Sequence, residues 1–373
     1  MKYRRLGETG LSVSALGFGA MRLPEKDGEV NRKASEKLIR ACIEGGVNYL
    51  DTAPLYCYQL SEEILGRAIQ GYDRGKLVLS SKNPEQKDVS KWWEHLRTSL
   101  KRLGSDYIDL YHFWGIKGRD FRENIAPPGM YEQARKAKEE GKIRHIGFSF
   151  HDDPQEIYPI IDSGLFSAMT VQFSLLDRKL SPTINYAHAK GVGVVIMGPL
   201  AGGRLAHSSP LMDILSPDTK ERISLGLRFV LSQPGVTVAI SGMNSENQLA
   251  ENLETADGEY ALSEKEKELV ERFVAAQAGR EEIPCTGCSY CLPCPQGVNI
   301  PYILGALEQG LTYSLWDYAQ ERLEYQRLNP RFGKNMGECT LCGECEEKCP
   351  QGLEIIEYMQ VAKERLSQEK LLQ

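Results

Sequence analysis

Short apolar segments alternating with amphipathic ones are the feature that most constrains how this chain can fold. Eight segments are rich in the β-branched and aromatic residues that favour strands. They span residues 14–20, 47–52, 77–82, 107–114, 144–150, 168–174, 192–199 and 236–243. Helical spacing of apolar residues marks segments between them, including 34–44, 62–69, 90–103 and 131–140. Because the strand segments are largely apolar, they are typical of a parallel sheet buried on both faces.

Eight strand–helix units in about 255 residues match a (β/α)8 TIM barrel in number and length. A doubly wound α/β sheet is the alternative that the same alternation permits. One connection, 115–130, is longer than the others and contains Pro127 and Pro128, so we predict a loop over the barrel mouth. A closing helix is predicted over 263–278, where Ser263 and Glu266 have the spacing of a capping box.

Eight of the ten cysteines follow residue 284 in two tight groups. The chain has the composition of a globular protein, no apolar run of bilayer length and no secretory signal, so we expect a cytoplasmic protein without a membrane span. Thiols in that compartment stay reduced, which favours metal or cluster ligation over disulfides. Structural zinc is the alternative, because paired C-x2-C motifs also build zinc sites. The groups are Cys285, Cys288, Cys291 and Cys294, then Cys339, Cys342, Cys345 and Cys349.

The second cysteine group, with spacing C-x2-C-x2-C-x3-C-P, resembles the run of bacterial ferredoxins. The first group is one residue shorter before its last cysteine. Segments 300–327 and 354–366 have helical patterns, so the tail is similar to the α-helical ferredoxin domains that are fused to oxidoreductases. A repeat supports two half-sites, because Cys294–Ile300 is echoed by Cys349–Ile355. We therefore expect a barrel domain at 1–279 and an α-helical ferredoxin-like domain at 280–373.

The resemblance to ferredoxins implies two 4Fe-4S clusters with crossed ligation, in which the last cysteine of each group binds the other cluster. One cluster would take Cys285, Cys288, Cys291 and Cys349. The other would take Cys339, Cys342, Cys345 and Cys294.

The net charge of −6 lies entirely in the tail, where residues 281–373 contain 14 acidic and 8 basic side chains. This distribution argues against nucleic acid as a partner, since nucleic acid selects basic faces. The acidic tail fits either a solvated surface or a docking face for a basic redox partner.

Four ionisable residues lie at or just beyond the ends of consecutive strand segments, where (β/α)8 enzymes have their active sites. They are Asp51, Tyr56, Lys82 and His112. A tyrosine with its ordinary pKa near 10 is a poor acid–base catalyst, and a nearby ammonium lowers that pKa. We predict Tyr56 as the acid, Lys82 as the group that tunes it, Asp51 as the anchor of Lys82 and His112 as the donor that polarises a carbonyl. Singly, Asp51 and Lys82 could be a structural ion pair and His112 a core residue.

Three segments that contain these residues, Asp51–Tyr56, Ser81–Lys82 and Tyr111–Trp114, closely resemble the aldo-keto reductases. The likeness extends from Tyr3 to Asn252, and with its tail the chain resembles the iron–sulfur-containing branch of that family. The resemblance implies NADP or NAD as the cofactor and a small carbonyl compound as the substrate. No motif indicates a flavin.

The resemblance also implies contacts with the nicotinamide cofactor, of which Asp51 is one. The chain departs from the family pattern at two places. Phe150-His151 stands in place of the usual Asn after Ser149. Cys57 stands in place of a glycine, and this cysteine lines the pocket or acts as a redox thiol. The other expected contacts are Gly19, Ala20 and Met21 under the nicotinamide ribose, Ser149 and Gln172 at the carboxamide, Pro199, Leu200 and Gly202 over the pyrophosphate, Gly242, Asn244, Gln248, Glu251 and Asn252 at the adenosine, and Arg204 at a 2′-phosphate.

Three functions are compatible with a barrel joined to clusters. The first is a nicotinamide-dependent carbonyl reductase whose clusters are structural or connect it to a partner. The second is a ferredoxin-linked reductase whose clusters deliver electrons to the substrate or to a flavin, because clusters pass electrons singly whereas a nicotinamide gives two as a hydride. The third is an electron-transfer protein whose barrel does not turn over.

Overall fold

Eight parallel strands form a closed barrel in the structure, a computed structural model that describes residues 1–26, 28–127, 129–280, 282–283, 285, 291–349 and 352–366. Each strand pairs in parallel with its neighbours, and the last strand pairs with the first. This closure confirms the (β/α)8 barrel and excludes the doubly wound sheet. The strands are β1 (Leu16–Gly19), β2 (Tyr49–Asp51), β3 (Val78–Asn83), β4 (Ile108–Ile116), β5 (Ile143–Phe150), β6 (Ala168–Gln172), β7 (Gly193–Met197) and β8 (Val238–Ser241).

Amphipathic helices connect the strands, and the four predicted between the first five strands are confirmed. Their starts have local causes: at the first turn of the third helix, the Asp88 side chain accepts hydrogen bonds from the backbone N–H groups of Ser90 and Lys91. The helices are α1 (Arg32–Glu44), α2 (Ser61–Ala68), α3 (Val89–Leu103), α4 (Met130–Glu139), α5 (Tyr158–Asp162), α6 (Ser181–Ala189), α7 (Thr219–Leu231) and α8 (Glu246–Asp257).

An antiparallel hairpin that the sequence patterns did not predict precedes the barrel. Its strands are Tyr3–Arg5 and Ser12–Ser14. Leu6 and Val13 are fully buried there and belong to one core cluster with inward-facing residues of the barrel strands. Three-residue strands are too short to show a periodic pattern, which explains the omission.

The connection at 115–130 differs from the predicted loop, because much of it is regular. Strand β4 continues to Ile116, and a short helical segment follows at Gly118–Ile125. Phe121 and Ile125 lie one turn apart and are both buried, so apolar packing orders this segment. Pro128 lies outside the described residues.

The described residues group into two compact units. The first comprises Met1–Gly202 and Ile223–Leu262 and contains the barrel strands. The second comprises Gly203–Arg222 and Ser263–Gln373. The closing helix is grouped with the second unit, although it lies before the predicted domain boundary between residues 279 and 280. That boundary stays a prediction.

The helices that begin at Ile300, Trp316 and Ile355 pack in the second unit around a core of aliphatic side chains that includes Ile303, Leu304, Leu307 and Met359. The closing helix begins with the predicted capping box of Ser263 and Glu266. No helix in the described stretches of the chain has the length and apolar character needed to cross a membrane. The helices are α9 (Glu264–Gln277), α10 (Ile300–Tyr313), α11 (Trp316–Leu328) and α12 (Ile355–Leu366).

The helix predicted over 300–327 is in fact two helices, α10 and α11. Ser314 adopts a left-handed φ of 55°, and the N–H of Leu315 returns to the carbonyl of Gln309 at 3.0 Å, which ends α10. The Trp316 ring packs so closely on Gly310 that a Cβ there would lie 2.2 Å from it. The Trp316 ring can reach Gly310 because the chain turns between them. The periodic pattern of apolar residues does not show that turn.

The two copies of the Cys-Pro-Gln-Gly repeat share one backbone form at their described positions. Gly297 and Gly352 both have positive φ, and their N–H groups bond the carbonyls of Cys294 and Cys349 at 2.9 and 3.1 Å. The isoleucine that ends each copy is the first residue of a helix, α10 or α12. Pro350 and Gln351 lie outside the described residues.

Candidate active site and cluster site

A buried ion pair joins the ends of strands β2 and β3. Parallel pairing sets Asp51 opposite Ser80, two residues before Lys82. Lys82 Nζ donates to Asp51 Oδ2 at 2.7 Å and to the Thr52 carbonyl at 2.8 Å, while Ser80 Oγ donates to Asp51 Oδ1 at 2.7 Å. The side chains of Lys82 and Asp51 are only 3% and 6% exposed. Their hydrogen bonds offset part of the cost of burying two charges.

Tyr56 lies beside this pair, with Lys82 Nζ 4.8 Å from the centroid of its ring. Burial alone would lower the pKa of Lys82, but Asp51 and Tyr56 outweigh it and raise that pKa, so the side chain is an ammonium. Burial raises the pKa of Tyr56; Lys82 opposes this rise, and Asp51 adds to it. Lys82 thus acts in the predicted direction, but the effect of burial on the pKa of Tyr56 is larger. The phenol of Tyr56 is therefore protonated at neutral pH.

The residues after Tyr56 form a left-handed turn. Cys57, Tyr58 and Gln59 have φ angles of 48°, 58° and 71°. The Cys57 Sγ atom donates to the carbonyls of Ala20 at 3.4 Å and Met21 at 3.3 Å. These contacts connect the turn to the chain just beyond β1. Burial raises the pKa of Cys57, which favours the thiol over the reactive thiolate.

His112 is fully surrounded inside the barrel. Its Nδ1 lies 3.2 Å from the Ser81 carbonyl oxygen, and its Nε2 lies 2.9 Å from Thr170 Oγ1. Burial, followed by the charge of Lys82, lowers the pKa of His112 to about 4, so the ring is neutral at neutral pH. The tautomer of the ring determines which of the two nitrogens donates, and with it the direction of the hydrogen bond between His112 and Thr170. The donation from His112 to a carbonyl stays a prediction.

The residues predicted at the nicotinamide lie at the strand ends around this group. Gly19 ends β1, and the Ala20 N–H bonds the Asp51 carbonyl at 2.8 Å, whereas Met21 is exposed. Ser149 is buried, and its Oγ accepts the Gly115 N–H at 2.8 Å, which leaves the hydroxyl proton for another acceptor. Gln172 ends β6 and is half-buried.

Arg22 was not predicted, and it connects two of the predicted cofactor loops. Its Nη1 donates to the Gly202 carbonyl at 2.7 Å, and its side-chain carbons lie against Gly242. The sequence signal for it is a basic residue directly after the glycine turn of β1. Pro199 and Leu200 precede Gly202 in the same loop.

The predicted adenosine segment is organised by its own side chains. Gln248 Oε1 accepts the N–H of Asn244 at 2.9 Å, and Asn252 Nδ2 donates to Ser241 Oγ at 3.0 Å. Glu251 lies on α8 and is half-buried. Arg204 belongs to the second unit, where it donates to Gln309 Oε1 at 3.2 Å and its guanidinium lies over the Tyr313 ring.

One cavity of the second unit, with an empty volume of about 430 Å³, is lined by thiols from both cysteine groups. The apolar part of its wall includes Val298, Ile300 and Met359. Across the described residues, no three cysteine, histidine or acidic side chains converge tightly enough for a single metal ion. Thiols spread around a cavity fit a cluster better than a lone zinc ion, whose four sulfurs lie about 2.3 Å from one centre. The thiols come from Cys291, Cys294, Cys339, Cys342 and Cys345.

The first cysteine group is described in part. Cys285, Cys291 and Cys349 pack against the core of the second unit and are half-buried. Cys288 lies outside the described residues. The described thiols therefore share one apolar environment.

Comparisons with known proteins agree with this geometry. The profile of the Aldo/keto reductase family matches residues 15–223, and that of a 4Fe-4S dicluster domain matches residues 284–354. The uncharacterized oxidoreductase YqkF of Bacillus subtilis is 30% identical over 304 residues, which cover 72% of this chain and 95% of that protein.

Solved structures show the same likeness. The holo form of the aldo-keto reductase AKR11C1 from Bacillus halodurans is 28% identical, with a TM-score of 0.63 over 73% of this chain and 96% of that one. An aldo/keto reductase from Klebsiella pneumoniae in complex with NADP and acetate is also 28% identical, with a TM-score of 0.60 over 73% and 94%. This chain is an NAD(P)H-dependent oxidoreductase that belongs to the aldo/keto reductase family and has a C-terminal 4Fe-4S dicluster domain.

Proposed function

We propose that the barrel reduces a small aldehyde or ketone with NADPH and that Tyr56 supplies the proton. The observation that carries this proposal is the buried Lys82 ammonium beside the Tyr56 phenol, at the carboxyl ends of the barrel strands. Carbonyl reduction needs one hydride at carbon and one proton at oxygen. Bound NAD(P)H supplies the hydride, so the protein itself has to deliver only the proton.

The hydrogen bonds of Lys82 determine where that proton points. A lysine ammonium has three N–H donors, and Asp51 and the Thr52 carbonyl occupy two of them. In this proposal the third donates to the Tyr56 oxygen, because Lys82 Nζ lies 4.8 Å from the centroid of the Tyr56 ring. The phenol O–H is then free to donate to a carbonyl oxygen, and Lys82 stabilises the tyrosinate left behind.

We assign the nicotinamide to the strand ends at Gly19–Met21, where Ser149 and Gln172 would hold the carboxamide. The free proton of the Ser149 hydroxyl suits a carboxamide oxygen. The positive charge of Arg22 suits the pyrophosphate next to the Gly202 loop. We favour NADP over NAD because the Klebsiella relative was solved with NADP.

We propose two 4Fe-4S clusters in the second unit, with crossed ligation. Cys294 lines the same cavity as Cys339, Cys342 and Cys345, and so does Cys291. Of these five thiols, the crossed pattern gives Cys294 to one four-iron cluster together with Cys339, Cys342 and Cys345. The other cluster would take Cys285, Cys288, Cys291 and Cys349.

We further propose that the clusters exchange electrons with a basic protein partner at the exposed edge of this cavity. Cys342 and Leu341 are exposed there, Glu344 lines the same cavity, and Glu338 and Glu347 are exposed nearby in the sequence. An apolar centre with an acidic rim suits a transient redox contact with a cationic protein. The rate at which the reduced protein transfers electrons to cytochrome c, a basic haem protein, can be measured by stopped flow. This rate should fall as the salt concentration rises, and it should be lower still in the double variant Glu344→Lys/Glu347→Lys. Rates independent of both would contradict this partner.

The main proposal is tested by adding NADPH or NADH anaerobically to the pure protein, with and without a small aldehyde. We expect aldehyde-dependent oxidation of NADPH that persists after the clusters are removed. Cluster bleaching by NADPH, or turnover only with reduced ferredoxin, would instead support a ferredoxin-linked reductase. Absence of all three signals would indicate a barrel that does not turn over.

A further inference from the structure

The side chain of Lys363 on α12 contacts the second cysteine group. Its Nζ donates a hydrogen bond at 3.1 Å to the backbone carbonyl of Cys339, which lies 24 residues earlier in the chain. Cys339 is one of the residues that line the cavity of the second unit. The ammonium therefore lies only a few covalent bonds from a sulfur atom that we assign to a cluster.

The face of α12 on which Lys363 stands accounts for its position. Ile356 and Met359 line the cavity, and Lys363 follows Met359 by four residues, which puts both on one side of the helix. Met359 is buried, whereas Lys363 is half-buried. The side of α12 that borders the cavity thus continues into a cationic side chain.

The charge of Lys363 is not cancelled by an ion pair. Within the described stretches of the chain, no carboxylate lies within ion-pair distance of its ammonium. Lys348, which also lines the cavity, differs in this respect, because its Nζ lies 3.4 Å from a carboxylate oxygen of Glu344. The opposite charges of that pair largely offset each other, whereas Lys363 adds a positive charge beside Cys339.

The internal repeat has the opposite charge at the equivalent position of its first copy. Ile300 and Ile355 are matching residues of the two copies and the first residues of α10 and α12. Glu308 and Lys363 stand eight residues further along these two helices. One half of the tail therefore has an anion where the other half has a cation.

We propose that Lys363 raises the reduction potential of the cluster held by the second cysteine group, so that this cluster accepts an electron before the other one does. One-electron reduction adds a negative charge to a cluster without making or breaking a bond. A nearby cation stabilises that added charge. The inference rests on the two proposed clusters but not on their crossed ligation, since Cys339 belongs to the same cluster in either pattern.

A set of substitutions at position 363 tests the effect of the charge. Lys363→Met keeps most of the length of the side chain and removes the ammonium, and Lys363→Gln removes it with a polar side chain. In both variants, anaerobic potentiometric titration followed by EPR should show that the higher of two potentials falls by about 59 mV, which corresponds to a tenfold change for a one-electron couple. The lower potential should stay in place. Lys363→Arg, which keeps the charge, should resemble the wild type.

The matched control is Arg365→Gln, which removes an equal charge from the same helix. Arg365 lies over the Trp316 ring, so both potentials should stay in place in this variant. Iron and sulfide content is measured for every variant. Unchanged potentials in Lys363→Met and Lys363→Gln, or an equal fall of both potentials, would overturn the inference alone. Absence of any cluster that depends on Cys339 would refute the proposed cluster site, and the inference with it.

Discussion

Two opposing influences set the ionisation of the residues at the barrel rim. Burial disfavours charge on Tyr56 and on Lys82, yet the carboxylate of Asp51 keeps Lys82 protonated. The same carboxylate disfavours a tyrosinate at Tyr56, and the ammonium favours one. Asp51 therefore has two effects: it anchors the group that assists Tyr56, and it raises the pKa of Tyr56 directly.

Replacing Asp51 with Asn should move the alkaline limb of the reduction to lower pH. Reduction requires protonated Tyr56, so activity falls as pH rises through the pKa of Tyr56. Removing the anion stabilises the tyrosinate and so lowers the pKa of Tyr56. The measurement is kcat/KM as a function of pH, which reports the free enzyme.

The matched control for this prediction is Asp109→Asn. Asp109 is an equally buried aspartate that pairs with Arg74 and Arg144 on the barrel. Its replacement should leave the position of the alkaline limb unchanged. An Asp51→Asn limb that stays in place or moves to higher pH would contradict the electrostatic account.

At the scale of elements, the left-handed turn after Tyr56 is the least expected feature of the barrel. Three consecutive non-glycine residues have positive φ there, each at a cost of about 1–2 kcal/mol. The turn places Tyr56 near Lys82, and its thiol contacts the chain beyond β1. Strain of this kind is often found where an active site requires an unusual backbone.

Cys57→Gly should raise the free energy of unfolding by about 0.5–1 kcal/mol. Glycine adopts a positive φ without strain, and the conformational entropy that it loses on folding offsets only part of the relieved strain. Calorimetry should show the gain as a higher Tm. Leu55→Gly is the control, since Leu55 has a φ of −101° and the same change there should lower Tm. A Tm for Cys57→Gly below that of the wild type would show that the turn is not strained.

Periodic patterns predicted each barrel strand to within two residues at its ends, together with the helices between the first five strands. They could not predict the break at Ser314, since it depends on the Trp316 ring packing on Gly310. The Thr170 contact escaped for a similar reason, because it joins two strands that are not neighbours in the barrel. The spacing of apolar residues shows which side chains share one face of a helix or strand. Contacts between elements also depend on how neighbouring strands are aligned, and this spacing does not show that alignment.

At the scale of the whole molecule, the two cysteine groups are interlinked rather than separate modules. Cys291 and Cys294 belong to the first group by sequence, and both line a cavity together with thiols of the second group. Equivalent turns at Gly297 and Gly352 lie three residues before the first residues of α10 and α12. Exchange of the fourth ligand would make each cluster depend on both groups, so loss of either group would affect the fold of the tail.

Pairs of cysteine variants can test the crossed ligation. Each substitution should remove one four-iron cluster, so Cys294→Ala combined with Cys342→Ala should keep one cluster. Cys294→Ala combined with Cys291→Ala should lose both. Anaerobic iron and sulfide counts with EPR measure the outcome. The reverse result for the two pairs would mean that each group binds its own cluster.

The most direct test of the central claim is the rate of carbonyl reduction by Tyr56→Phe, measured with NADPH and with iron content matched to the wild type. The phenylalanine keeps the ring between Lys82 and Trp114 and removes only the proton donor. The account predicts a loss of about 10²–10⁴-fold in kcat with unchanged NADPH affinity and intact clusters. Turnover close to that of the wild type would contradict it and require another source for the proton.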